Sequence, residues 1–139
     1  MYLKIAASMA LCIMLSVIPA LAEPPVEAEI PFAFQAGKIK LPAGTYKVTF
    51  PTSTLMLIKS SDNTSSSFLM TMSTIRPGNE RERAKLVFNR YGDRYFLNQV
   101  WTGGTESGRL LQQTKAEVEA ARLAPRPSGP QVATIPARR

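Results

Sequence analysis

The sequence contains no histidine, and its single cysteine, Cys12, lies in an apolar stretch near the start. Histidine and cysteine supply the base of a serine triad, the nucleophile of a thiol enzyme and the nitrogen and sulfur ligands of zinc, so those sites are excluded downstream of Cys12. Catalysis by carboxylates alone needs two Asp or Glu side chains facing each other across a bond. Nearly all ten acidic residues fall in predicted loops, on outward strand positions or in a predicted helix. We therefore expect a protein that is not an enzyme and holds no cofactor or metal ion.

The first 22 residues have the three parts of a secretory signal peptide. A basic start ending at Lys4 precedes the apolar run IAASMALCIMLSVIPA, and Ala20 and Ala22 give the small-x-small pattern that signal peptidase requires. The run is shorter than the roughly 20 apolar residues that span a bilayer, which disfavours a membrane anchor. A bulky leucine before Cys12 disfavours a lipid anchor. We predict cleavage after Ala22 and a secreted or periplasmic location.

The 117 residues that would remain carry 16 basic and 10 acidic side chains, because Lys4 leaves with the signal peptide, and their formal charge is +6. A chain of this size forms one domain and buries a core without cross-links. We place that domain over residues 23–124. Small animal secreted domains are usually rich in disulfides, so a cysteine-free exported chain points to a bacterial protein.

Alternation of apolar and polar residues predicts about seven short strands. The run TYKVTF, for example, places Tyr46, Val48 and Phe50 on one face. In the earlier run VEAEIPFAF, Pro31 cannot donate a ladder hydrogen bond, so this strand lies at an edge or is interrupted there. Turn residues separate the runs at short intervals, and no strand-helix-strand unit is present. The predicted fold is mainly β, an antiparallel β-sandwich or small barrel.

One short helix is predicted near the end of the domain. Thr114 and Glu117 have the spacing of a capping box, which predicts a helix over about 114–124. An isolated helix of this length is marginal, so it must dock on the sheet, and we expect Val118 and Ala121, together with Leu111, to make that contact.

Three further segments are predicted to be loops or tails. Residues 125–139 contain four prolines and no periodic apolar pattern, which predicts a disordered tail. The stretch RPGNERER, 76–83, is polar and predicts an exposed loop. The stretch SSDNTSS predicts a turn; a single carboxylate, that of Asp62, makes it a poor calcium site, and a solvated turn is the simpler reading.

The stretch LVFNRYGDRYFLNQVW combines aromatic and basic residues. Its two halves alternate as strands do, and Gly92 and Asp93 between them form a two-residue loop typical of a tight hairpin. Both faces are partly apolar, which predicts a central position in the sheet. We expect at least partial burial of the rings of Phe88, Tyr95, Phe96 and Trp101. An exposed Trp101 coplanar with Tyr95 and Arg94 would instead favour recognition over packing.

The segments EIPFAFQAGKIKLPAGTYKV, LVFNRYGDRYFLNQVW and GRLLQQTKAEVE share recurring elements with a known group of proteins. These elements are an I-P-F-x-F opening, an L-P-A-G-x-Y turn and strand, an R-Y-G-x-x-Y-F-L hairpin and a charged terminal helix. In their order and spacing the chain resembles a family of short, uncharacterised secreted β proteins from soil bacteria. The resemblance covers most of the mature chain. It implies secretion and a small β fold, and it brings no active-site residues with it.

Two binding functions are compatible with the sequence, and the first is a polyanion-binding module. A basic segment runs from Arg76 to Arg94, beside aromatic rings that can stack on bases. Glu80 and Glu82 interrupt it, and an exported protein would meet an anionic envelope lipid or acidic polysaccharide rather than nucleic acid. The alternative is that its arginines simply flank a hairpin turn in solvent. The candidate polyanion contacts are Arg81, Arg83, Lys85, Arg90 and Arg94.

The second binding function is a carrier for a small apolar ligand. Met56, Met70 and Met72, with Phe68 and Leu55, are candidates for an adaptable pocket, because thioethers fit irregular shapes. Ordinary core packing explains the same residues, and the strands are short for a ligand-binding cup. The sequence thus predicts an exported, non-catalytic β domain with a binding role or a structural role in the envelope, and leaves the polyanion module and the carrier as alternatives.

Overall fold

A computed structural model describes residues 24–75, 83–104, 107–124 and 131–139; the predicted signal peptide lies outside them. The described residues are mainly β with one short helix, which confirms the predicted fold class. The elements are β1 (Val26–Ile30), β2 (Phe34–Ala36), β3 (Ile39–Leu41), β4 (Gly44–Thr49), β5 (Leu55–Ser60), β6 (Ser66–Ile75), β7 (Lys85–Tyr91), β8 (Arg94–Trp101), β9 (Ser107–Leu111), α1 (Lys115–Leu123) and β10 (Gln131–Pro136).

The strands are joined in the order β1-β4-β5-β6-β9-β8-β2-β3, and β7 pairs with β8 and β10. The long strand β6 belongs to both halves of this arrangement, because residues 66–70 pair with β5 and residues 71–75 pair with β9. Every pairing is antiparallel except a single parallel bridge between β2 and β8. The sheet is not closed, which is consistent with a sandwich rather than a barrel.

The core lies between the two halves of the folded sheet. Alternate residues of β1, β4 and β5 point inward, as the period of two predicts, and Tyr46 and Val48 are almost fully buried. Edge-to-face contacts link Phe34 to Tyr46, with ring centroids 5.2 Å apart, and Phe34 to Phe88, at 5.3 Å. Such ring pairs add about 0.5–1.5 kcal/mol beyond their burial. The aromatic residues therefore tie β2, β4 and β7 together.

The predicted interruption at Pro31 is confirmed. β1 ends at Ile30 and pairs with β4, whereas β2 begins at Phe34 and pairs with β3 and β8. The proline falls between two pairings, where its missing N–H costs nothing. The chain thus crosses from one half of the sheet to the other at this point.

The hairpin predicted around Gly92 is also confirmed. β7 and β8 pair antiparallel, and Gly92 has a φ of 64°, in the region that glycine adopts without strain. β7 lies between β8 and β10, and β8 also contacts β9, so the hairpin is central as predicted. Its rings are buried, with 0% exposure for Phe88, 3% for Phe96 and 6% for Trp101, while Tyr95 is half-buried.

The helix forms where predicted but docks through a different face. Thr114 caps it, and its hydroxyl oxygen accepts a hydrogen bond from the Glu117 N–H at 3.2 Å. Glu117 and Ala120 are buried, whereas Val118 is 53% exposed and Ala121 is exposed, so these two expected docking residues are wrong. Leu111, the third, is buried at the end of β9 in the main core. The docking side combines Ala120, which packs with Tyr91 and Phe96, with Glu117, which meets hydrogen-bond donors of the sheet.

Those donors belong to β7. The Glu117 Oε1 accepts hydrogen bonds from Asn89 Nδ2 at 2.9 Å and from the Tyr91 hydroxyl at 3.2 Å. Burial, and then the charge of Glu117, raises the pKa of Tyr91 above its ordinary 10.0, so this hydroxyl keeps its proton. A buried carboxylate with two donors holds the helix in one orientation.

Replacing Glu117 with alanine should therefore lower the free energy of unfolding by about 2 kcal/mol, since the buried Tyr91 hydroxyl and the half-buried Asn89 amide lose their acceptor. Glu117→Gln keeps an amide oxygen at the same place and should lose less. The matched control is Glu119→Ala, because Glu119 forms an exposed ion pair with Arg122 that is worth less than about 0.5 kcal/mol. Urea unfolding of the three variants measures this order, and equal losses for Glu117 and Glu119 would contradict it.

The prediction of a disordered tail over 125–139 is wrong for residues 131–139. Gln131–Pro136 form β10, antiparallel to β7, and beyond it Arg138 exchanges two backbone hydrogen bonds with Glu27, at 2.8 and 2.9 Å. Ala133 and Ile135 face the core and are half-buried, whereas Val132 is 65% exposed. Prolines are tolerated at strand ends and edges, so their number did not prevent pairing. Residues 125–130 lie outside the described part of the chain.

Candidate functional site

The candidate polyanion contacts are spread along the chain around the central hairpin. Arg81 and most of the predicted loop 76–83 lie outside the described residues. Arg83 is exposed just before β7, and Lys85 is half-buried on β7, opposite Trp101. Arg90 and Arg94 are exposed at the two sides of the hairpin turn.

The two hairpin arginines lie on opposite faces of the sheet. Arg90 is paired with Tyr95 in the register, and its guanidinium lies 5.4 Å from the centre of that ring. Arg94 is paired with Tyr91, and its guanidinium lies 5.2 Å from the Phe96 ring on the helix side. The Arg90 Nε also donates a hydrogen bond to the carbonyl oxygen of Gly92 at 2.6 Å. Each arginine thus contacts its own ring, and the pair does not form one surface.

The aromatic rings of the hairpin are engaged in packing. A Cβ added to Gly108 would lie 2.6–2.9 Å from three atoms of the Trp101 ring, so this ring covers the glycine directly. Tyr95 stacks on Phe32 with the ring centroids 3.7 Å apart and the planes 13° apart. Trp101 is buried, so the condition that would have favoured recognition at the hairpin, an exposed Trp101, is not met.

The predicted methionine pocket does not form, because its residues fall on two faces. Met56 is fully buried in the core. Phe68, Met70 and Met72 point outward from β6 and are 63%, 74% and 49% exposed. Leu55 lies on the neighbouring strand β5, directly before Met56. Because successive side chains of a strand point to opposite sides and Met56 points inward, Leu55 points outward.

These outward residues form one continuous apolar surface. Leu57 lies opposite Phe68 in the β5–β6 register, and Leu55 lies opposite Met70. With strand neighbours about 5 Å apart and alternate residues about 7 Å apart, the surface is about 13 Å long on β6. Contiguous exposed apolar side chains on a folded domain typically mark an interaction site. We call this surface the outer apolar face; it consists of Leu55, Leu57, Phe68, Met70 and Met72.

The orientation of β6 is the reverse of what its sequence predicts. Between 67 and 72, one side carries Phe68, Met70 and Met72, and the other carries Ser67, Leu69 and Thr71. Hydrophobicity places the first set inside, yet the structure buries the second set, each member at 7% exposure or less. The buried Thr71 hydroxyl has no hydrogen-bond partner among the described residues. The strand therefore exposes its most apolar side at a cost in stability.

Two lysines lie beside the outer apolar face. Lys47 on β4 and Lys59 on β5 are directly opposite each other, both exposed. An open groove of about 430 Å³ runs past them and reaches Leu57. Neither lysine forms an ion pair with a described residue. Like charges opposite each other destabilise a sheet, so this pair is not explained by the stability of the fold. We call this feature the lysine groove.

A second groove, of about 320 Å³, borders the outer apolar face on its other side. It runs beside Phe68 and Met70, and its far side is formed by the turn after β2, with the exposed Lys38 and Ile39. The turn packs closely on β6, because a Cβ added to Gly37 would lie 2.5 Å from a methyl carbon of Leu69. The apolar surface thus has a basic residue on both flanks.

The turn between β5 and β6 satisfies its own carboxylate. The Asp62 Oδ1 accepts hydrogen bonds from the Ser60 hydroxyl at 2.6 Å, the Thr64 hydroxyl at 2.7 Å and the Thr64 N–H at 3.1 Å. These bonds, first those from Ser60 and then those from Thr64, hold the pKa of Asp62 at about 2, below its ordinary 3.8. Within the described ranges, no three acidic side chains come together as metal ligands. The arrangement is that of a turn stabilised by its side chains.

Besides the buried Glu117, sequence reasoning missed the buried charge of Arg109 on β9. The residue is 6% exposed, its guanidinium lies 5.4 Å from the Phe50 ring, and its Nη1 donates hydrogen bonds to the Ser53 carbonyl oxygen and the Ser73 hydroxyl. An arginine inside a strand gives no sequence signal that separates a buried position from a solvated one. It fixes the segment before β5 to the centre of β6 and is a structural residue.

Comparisons with protein-family models, curated proteins and solved structures find no match to this chain. Over the residues that the structure describes, no helix is both long enough and apolar enough to cross a membrane. The outer apolar face and the lysine groove are therefore interpreted from their own geometry.

Proposed function

We propose that this chain is an exported, non-catalytic β domain that acts by binding, with the outer apolar face as its binding surface. The observation that carries the proposal is the reversed strand β6, which exposes Phe68 and Met70 and buries Thr71 without a partner. Departures from the folding pattern that lower stability are expected at functional sites. Export is supported by the N-terminal signal pattern and by the resemblance to secreted proteins of soil bacteria.

The outer apolar face is a better candidate than the basic hairpin. At the hairpin, Trp101 is covered by packing and the two arginines point to opposite faces. On the outer apolar face, by contrast, three large side chains lie side by side, with 63%, 74% and 49% of their surface exposed for Phe68, Met70 and Met72. Binding energy comes mainly from large apolar side chains that lose water on contact, which this surface supplies and the hairpin does not.

The absence of an enzymatic role is part of the same proposal. The chain has no histidine, and its one cysteine lies in the predicted signal peptide. Asp62 takes part in its own turn, Glu117 holds the helix, and Glu119 and Glu27 pair with arginines. These four carboxylates have structural partners, which supports a binding role over carboxylate catalysis.

The test uses protein secreted from the full-length gene, its N-terminus established by mass spectrometry, and envelopes isolated from the host. We expect the protein to sediment with the envelopes, and the double variant Phe68→Ser, Met70→Ser to bind at least about tenfold more weakly, since two large apolar contacts are lost. Val132→Ser, equally exposed on β10, is the matched control and should bind as the parent does. Unchanged binding by the double variant would refute the proposal.

A further inference from the structure

We propose that the outer apolar face docks on an anionic lipid surface, with Lys47 and Lys59 at the level of the lipid head groups. This inference rests on the proposed function and names the partner of the same surface. Three features support it: the openness of the apolar face, the position of the lysines, and the positive charge that borders the face directly.

The openness of the face favours a surface over a single enclosed molecule. Phe68 and Met70 stand out from β6 with more than half of their surface in solvent, and the partly buried Leu55 and Leu57 lie beside them. No described residue covers Phe68 or Met70 as the wall of a carrier pocket would. An apolar patch of this kind can enter the boundary between head groups and acyl chains to a depth of about 5–10 Å.

The lysines lie where lipid phosphates would be. Lys47 and Lys59 are outward residues of β4 and β5, and the lysine groove connects them to Leu57, a member of the outer apolar face. A phosphate bound between the two ammonium groups would relieve their mutual repulsion. Their aliphatic chains allow the charges to stay at head-group level while the apolar residues go deeper. Lys38, beside the second groove, supplies a third charge on the opposite flank.

The charges nearest to the apolar face are those of the lysines, and the neighbouring carboxylates lie farther from it. Glu27 lies opposite Lys47 in the β1–β4 register, but its carboxylate accepts a hydrogen bond from the Arg138 guanidinium at 2.8 Å. Asp62, in the turn after β5, is held by Ser60 and Thr64. Asp62 keeps its negative charge, because hydroxyl and N–H donors do not neutralise a carboxylate, and Glu29 is exposed on β1. Both lie farther from the apolar face than Lys59, which follows Leu57 by two residues on the same side of β5. The charge that borders the face directly is therefore positive, which is complementary to an anionic membrane and not to a neutral one.

The experiment measures sedimentation of the secreted protein with phosphatidylcholine vesicles, with and without phosphatidylglycerol. We expect at least tenfold tighter binding when phosphatidylglycerol is present, and weaker binding as salt is raised. Because each lysine near an anionic surface contributes about fivefold, Lys47→Gln with Lys59→Gln should weaken binding about thirtyfold. The matched control is Lys115→Gln with Arg122→Gln, which removes the same charge from exposed positions on α1 and should change binding less than about threefold.

The outcomes separate the two proposals. Equal binding to both vesicle types, or equal losses in the two charge variants, would overturn anionic lipid as the partner. Absence of vesicle binding while envelopes are still bound through Phe68 and Met70 would also overturn it, and would leave the proposed function standing with a protein or polysaccharide as partner. Failure of the Phe68 and Met70 variant to weaken binding to envelopes would refute the proposed function itself.

Discussion

Replacing Phe88 with alanine should lower the free energy of unfolding by about 3–5 kcal/mol. Phe88 is fully buried at the centre of the core, where its ring meets Phe32 edge-to-face at 5.1 Å and Phe34 at 5.3 Å. Removing it leaves a cavity between the two halves of the sheet, and the strands on both sides are too well paired to collapse into it. Urea unfolding followed by tryptophan fluorescence reports the loss, because the single tryptophan is buried on the adjoining strand.

The matched variant is Phe68→Ala, the same substitution on the outward side of β6. With 63% of its surface exposed, Phe68 contributes little to the core, and its replacement should change the free energy of unfolding by less than about 1 kcal/mol. Together the two variants test the orientation of β6 independently of any ligand. A loss near 3 kcal/mol for Phe68→Ala would place this ring in the core, and the outer apolar face would not exist.

Much of the fold could be predicted because its signals are local. Alternation placed Tyr46 and Val48 inside, and the Gly92–Asp93 pair fixed a tight turn, since each depends on a few neighbouring residues. The break at Pro31 followed from the missing N–H of a single residue. The division of β6 between two partners was not predictable in this way, because it depends on strands far apart in the sequence.

The side of α1 that docks on the sheet could not be predicted from hydrophobicity, because polar contacts help to select it. Val118 is the most apolar residue on one side of α1, yet Glu117 is buried in its place. The deciding donors, Asn89 and Tyr91, lie 28 and 26 residues earlier in the chain. Nothing near Glu117 in sequence reveals them, and its local context gave only the cap, which is correct.

The candidate site was only partly predictable, and the reason is the orientation of β6. The sequence identifies Met70, Met72, Phe68 and Leu55 as candidate ligand contacts. The alternation of side chains along β5 is enough to place Leu55 and Met56 on opposite sides of that strand. The alternation of side chains along a strand does not show which of its two sides faces the core. The more hydrophobic side normally does, but on β6 the more hydrophobic side faces solvent. The lysine groove was missed because Lys47 and Lys59 become neighbours only through the β4–β5 register.

Truncation after Pro130 should lower the free energy of unfolding by about 3 kcal/mol or more. β10 pairs with β7 along its whole length, so its loss exposes one edge of the strand that carries Leu86 and Phe88. It also removes the inward side chain of Ile135 and the bridge from Arg138 to Glu27. Uncovered core surface costs about 25 cal/mol per Å², and the freed edge of β7 becomes available for pairing with other chains. Thermal unfolding and light scattering measure both effects.

Two point variants test the same strand if the truncated chain does not fold. Ile135→Ser replaces a core-facing residue and should lower the free energy of unfolding by about 1–2 kcal/mol, whereas Val132→Ser, on the exposed side of the same strand, should change it by about 0.5 kcal/mol or less. A disordered tail would make all three changes neutral, because residues without fixed contacts contribute nothing to unfolding. A difference between Ile135 and Val132 requires both a strand and a defined inward side, since the two residues are both β-branched and apolar, lie three positions apart on β10 and differ in the face they occupy.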